Sequence, residues 1–143
     1  MLLMNPGLVG HLGLTFIPIY VYLNGPKLKS IRWVGSSLKD LKSFPKTVQR
    51  HIGQALYAAQ CDEEYPTVKA LKGYGGRTVL EIVAHDGTGT YRAIYTVRFR
   101  DAIYVLHAFQ KKSTKGKSTP KREIELIENR LVAAERDYRE RQN

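Results

Sequence analysis

Cysteine is nearly absent from this chain: Cys61 is the only one in 143 residues, so no intramolecular disulfide can form and no cysteine-based zinc site can assemble. The four histidines, His11, His51, His85 and His107, show neither i, i+4 pairing nor an HExxH pattern, which leaves no sequence signal for a transition metal. Acids are scarce as well, 13 against 23 lysines and arginines. Charge of either sign is missing from residues 1–26. These absences point to chemistry without metal or cofactor, to a reducing compartment such as the cytoplasm, and to a basic protein whose first segment differs from the rest.

That first segment, MLLMNPGLVGHLGLTFIPIYVYL, is long enough to span a membrane by hydropathy alone. Pro6, Gly7, Gly10, Gly13 and Pro18 break any helix there, and it lacks the basic start and cleavage site of a signal peptide. Three readings stay open: an arm packed on the domain, an extension from a start codon set too early, and a membrane anchor. Asn24-Gly25-Pro26 punctuates the chain. Residues 1–26 are therefore read as an N-terminal extension and residues 27–143 as one domain.

Residues 27–122 carry 19 cationic and 7 acidic side chains, whereas residues 123–143 carry 4 and 6. Such a localised excess concentrates polyanions, and nucleic acid or an acidic protein are the usual partners. The excess peaks in LHAFQKKSTKGKSTPKREIE, residues 106–125, where a strand-like run passes into six cationic side chains before the first acid, Glu123.

The hydrophobic spacing predicts a strand over 27–34, a short helix after Ser36 and Ser37, and a second helix over 46–60 with Val48, Ile52, Ala55, Leu56 and Ala59 on one stripe. Three strands follow, over 78–84, 90–100 and 102–110. Asp86-Gly87-Thr88-Gly89 and Asp101 suit hairpin turns, which implies antiparallel pairing. Residues 123–141 read as an amphipathic helix around Ile124, Ile127, Leu131 and Ala134. The expected fold is α+β: two N-terminal helices packed on a small antiparallel sheet, in the order strand, helix, helix, three-strand meander, and a C-terminal helix.

Strand parity sorts the middle strand into an apolar face, Tyr91, Ala93, Tyr95, Val97 and Phe99, and an arginine-rich one with Arg92, Arg98 and Arg100. Leu80 and Ile82 suit the core, which sets Glu81 beside Arg92. With helices on one side of the sheet, the other side is expected to be an open cationic face.

Three stretches carry a resemblance: VKALKGYGGRTVLEI (68–82), TYRAIY (90–95) and YVLHAFQKKSTKGKSTPKREIELI (104–127). In order and spacing they resemble the RelE/ParE toxin superfamily of bacterial toxin–antitoxin modules, most closely its HigB-like, phage-derived branch. The likeness covers about residues 29–132. It implies a RelE-like fold and a metal-free endoribonuclease that cuts messenger RNA on the ribosome and inhibits translation. It also implies a cognate helix-turn-helix antitoxin as partner.

Cleavage in such toxins proceeds by attack of the RNA's own 2′-OH on the adjacent phosphate, which demands proton transfer and stabilisation of phosphate charge. By this resemblance Arg92 is the phosphate-stabilising residue, and Lys111 and Lys112 match the lysine pair that closes the last strand. Lys69, Lys72 and Arg77, at the glycine-marked turn, are expected RNA contacts, as are Arg98 and Arg100, while Lys115 and Lys117 act at longer range. Glu81 and His107 are the candidates for proton transfer, a histidine being intrinsically suited to it. His107 shares parity with Val105 and Phe109, which also fits a packed core residue. The chain departs from the RelE pattern where Val79 and Glu81 replace two lysines and where no tyrosine occurs at 119–127. Two other functions stay open: a ParE-like gyrase poison without nuclease activity, and an inactive RNA-binding homologue.

Overall fold

The computed structural model describes residues 28–74, 78–112 and 119–143; the N-terminal extension, and with it the question of an anchor, lies outside them. Among the described residues no helix is long and apolar enough to cross a membrane. In chain order the elements are β1 (Ser30–Trp33), α1 (Ser37–Lys42), α2 (Lys46–Gln60), β2 (Val68–Ala70), β3 (Val79–Asp86), β4 (Gly89–Thr96), β5 (Ala102–Lys111) and α3 (Lys121–Gln142). The strands form one five-stranded sheet in the order β1-β5-β4-β3-β2.

Helical spacing places Val48, Ile52, Ala55, Leu56 and Ala59 on one side of α2, and all are buried. They pack with Leu41 and Phe44 against Ile82, Ala93, Tyr95, Ile103 and Val105 of the sheet. The alternate residues Val79, Ile94, Tyr104 and Leu106 form a second core with Ile127, Leu131 and Ala134 of α3. Because successive strand residues point to opposite faces, the sheet is covered on both sides. Each fully buried aliphatic side chain contributes roughly 1.5–3 kcal/mol of transfer free energy, so α3 is part of the core.

Four expectations are corrected. The face opposite α1 and α2 is not an open cationic surface, because Val79, Ile94, Tyr104 and Leu106 on it are apolar and draw α3 down. The sheet is not wholly antiparallel: β1 pairs β5 in parallel, with Trp33 opposite Val105, the chain between them passing through both helices as a parallel crossover requires. A fifth strand, β2, stands at the start of the glycine-marked turn, where no strand was expected; three residues are too few to show alternation, and only pairing with β3 defines it. Finally, β4 stops at Thr96 rather than Arg100. Thr96 Oγ1 donates to the Thr78 carbonyl at 2.6 Å and accepts the Arg98 N–H at 3.1 Å, and Phe99 then turns under α3 against Tyr104 and Tyr138.

The C-terminal half of α3 is held by a polar chain. Arg32 Nη1 donates to Tyr104 Oη at 2.7 Å, Tyr104 Oη to Asp137 Oδ2 at 2.6 Å, and Arg141 Nε to the same oxygen at 2.8 Å. Burial pushes the Tyr104 phenol pKa up, and the hydrogen bonds from Tyr104 and Arg141 hold the Asp137 carboxyl below the usual aspartate range.

Candidate functional site

Arg92, in the middle of β4, points to the α3 side of the sheet with only 6% of its surface exposed, and Glu81 on β3 is 2% exposed. Arg92 Nη1 donates to Glu81 Oε2. Glu81 Oε1 faces Lys69 Nζ of β2 at 3.7 Å. Sheet register explains the trio, since Lys69 stands directly opposite Glu81, and Arg92 reaches it from one diagonal step along β4. The Nε of Arg92 is buried and has no hydrogen-bond partner among the described residues. Leaving such a donor unmet costs about 1–3 kcal/mol.

A cleft of about 670 Å³ is lined by Lys69, Ala70, Leu71, Lys72, Glu81 and Arg92 together with Thr119 and Ile124. Its lining combines the nearly buried Arg92 and Glu81 with two exposed lysines and the apolar Leu71 and Ile124. Charge-assisted donors in this arrangement suit an oxyanion such as a phosphate.

A second cleft, of about 500 Å³, lies on the other side of the start of α3. It is lined by His107, Phe109, Lys111 and Lys112 of β5, by Arg122 and Glu123 of α3, and by Asp40, Phe44 and Tyr91. β5 carries a bulge beside it: Tyr95 pairs Val105 and Ile94 pairs His107, which leaves Leu106 as the extra residue. Val105 therefore faces α2, while His107 turns to the α3 side and stacks on Phe109, ring centroids 4.9 Å apart. The shared parity of His107 and Val105 expected from the sequence is broken by this residue. His107 Nε2 bonds Glu123 Oε2, and Arg130 Nη1 approaches Nδ1 at 3.4 Å. Among the described residues, no group of three or more His, Cys, Asp or Glu side chains could hold a metal ion.

The family model of phage-derived protein Gp49-like (DUF891) matches residues 39–132. The chain belongs to this Gp49-like family. The membership agrees with the phage-derived branch of the RelE/ParE superfamily read from the motifs. No curated protein is similar to the chain. Among solved structures, a mutant of the Escherichia coli toxin RelE in the free state is similar at 12% identity and a TM-score of 0.47, over 75% of this chain and 97% of that one. The toxin–antitoxin complex RelBE2 from Mycobacterium tuberculosis gives 15% identity and a TM-score of 0.41, over 59% and 99%.

In this Gp49-like domain the sequence-predicted residues divide. Arg92, Glu81, Lys69 and Lys72 meet in the first cleft, and His107, Lys111 and Lys112 in the second. Arg98 joins neither, because it lies past the end of β4 and pairs with Glu135 of α3 at 2.5 Å. Arg100 is exposed in the turn before β5. Arg77, Lys115 and Lys117 lie outside the described residues. Glu123 and Arg130 were missed, since acids and bases alternating along a helix read as a solvated face. The one available signal was position: Glu123 is the first acid after the basic run.

Proposed function

We propose that this chain is the toxin of a type II toxin–antitoxin module, acting as a ribosome-dependent mRNA endoribonuclease that inhibits translation. The observation that carries the reading is the Arg92 guanidinium, braced by Glu81 and lining one cleft with Lys69 and Lys72, its Nε without a hydrogen-bond partner among the described residues. A preorganised cation of this kind stabilises the charge that builds on a phosphate during 2′-OH attack. Lys111 and Lys112 of the second cleft hold flanking phosphates. Glu81, nearly inaccessible and facing both Arg92 and Lys69, serves as the brace for Arg92 rather than as the base. His107 and its carboxylate partner are the better-placed proton-transfer groups.

The partners in this reading are messenger RNA on the ribosome and a helix-turn-helix antitoxin that covers the basic clefts. The deciding experiment maps RNA ends after brief induction of the full chain. Cuts within translated codons, lost in Arg92→Ala, support the proposal; growth arrest with intact messenger RNA and a DNA-damage response refutes it in favour of gyrase poisoning.

A further inference from the structure

Arg130 sits where α3, the bulge of β5 and the start of α1 converge. Its Nη1 donates to the Leu106 carbonyl at 2.9 Å, and its Nη2 donates to Ser36 Oγ at 3.0 Å. Gly35 closes the cage, for a Cβ there would lie 2.9 Å from Arg130 Nε. The guanidinium is thus fixed by three elements, and it stands 3.4 Å from His107 Nδ1. A guanidinium has donors and no acceptor. A proton on Nδ1 would point at another donor, whereas a lone pair there is favoured, and the ring proton then resides on Nε2. That nitrogen faces Glu123.

We propose that Arg130 is a positioning residue of the second cleft: it selects the Nε2–H tautomer of His107, whose proton holds Glu123 as a fixed acceptor toward the ligand. In a histidine the hydrogen bond at one ring nitrogen decides the protonation of the other. His107 and Glu123 both line the second cleft with side chains 8% and 13% exposed; the carboxylate, whose Oε1 is not the oxygen bonded to His107 and lies 3.6 Å from Arg122 Nε, is the member with acceptor capacity left for what enters. An acceptor in that place suits a ribose 2′-hydroxyl, the group that separates RNA from DNA. The consequence for activity rests on the proposed RNA cleavage; the tautomer assignment does not.

The test is the nitrogen-15 spectrum of the histidine rings in the full chain, with His107→Gln to assign the signals, at a pH where the ring is neutral. Wild type is expected to show a bare Nδ1 and a protonated Nε2. Glu123→Gln should keep that pattern, because Arg130 stays in place and the amide oxygen can accept from Nε2. Arg130→Met in the Glu123→Gln background, where the amide can either accept or donate, should yield a tautomer mixture, and Arg130→Met alone a fall in kcat for RNA cleavage on the order of 100-fold, with KM within about twofold. A protonated Nδ1 in wild type, a flipped ring in Glu123→Gln, or an Arg130→Met loss confined to KM would overturn the proposal. If Arg130→Met does not fold, the first two spectra decide it. If wild type cleaves no RNA, the functional reading fails while the ring spectra still judge the tautomer.

Discussion

Glu81 and Arg92 form a buried ion pair without standing opposite each other: Glu81 pairs Ile94 across the β3–β4 ladder, Arg92 pairs Val83, and the two side chains meet along the diagonal. The geometry leaves the guanidinium tethered at Nη1, with the buried Nε unpartnered among the described residues. A buried pair of this type is costly to break, because the remaining charge stays in a low-dielectric site.

Arg92→Ala is therefore expected to abolish RNA cleavage and also to lower stability by about 3–5 kcal/mol, the cost of leaving the buried Glu81 with only the exposed, more distant Lys69. The double variant Arg92→Met with Glu81→Leu should recover much of that stability and none of the activity. Urea unfolding beside a cleavage assay separates the two effects; an active double variant would remove Arg92 from the site.

Lys69 and Lys72 sit on the rim of the same cleft and are exposed. Replacing Lys72 with alanine should change stability by less than about 0.5 kcal/mol, whereas Lys69→Ala also removes one of the two cations facing the buried Glu81. Each should also flatten the slope of log affinity for single-stranded RNA against log salt by about 0.7. Binding titrations across a salt series measure this, and unchanged slopes would place the phosphates elsewhere.

Asp137 gives the fold a defined acid sensitivity. Folding lowers its pKa through the bonds from Tyr104 and Arg141, so its contribution is complete above the ordinary aspartate pKa and vanishes as pH falls through the lower folded value. Asp137→Asn should thus be less stable than wild type at pH 7, and the gap should close under acid conditions. Thermal unfolding from neutral to low pH checks the sign.

Gly35 holds φ +56° against the Arg130 guanidinium. Gly35→Ala is expected to cost about 1–3 kcal/mol through backbone strain alone, with the contact to Arg130 added. Gly87→Ala is the control, since a Cβ there meets nothing within 4 Å; equal losses at the two positions in chemical denaturation would contradict this account.

The sequence by itself determined the parts that repeat over many residues. The α2 stripe, the three meander strands and the apolar side of α3 all came from spacing, because burial of alternate or every third or fourth side chain leaves a periodic trace. It also determined that Glu81 and Arg92 share a face. Tertiary structure alone decided the rest. The three-residue edge strand β2 acquires identity only from its neighbour and the parallel pairing of β1 only from β5, and one extra residue, Leu106, reverses the facing of His107 relative to Val105. The approach of Glu123 and Arg130 to His107 spans 16 and 23 positions of chain, a separation that no local pattern encodes. The basic run after β5 that dominates the sequence supplies charge, while the fold sets the buried guanidinium of Arg92 and the acceptor Glu123 in separate clefts on either side of the start of α3, because the apolar face of the sheet draws that helix down between them.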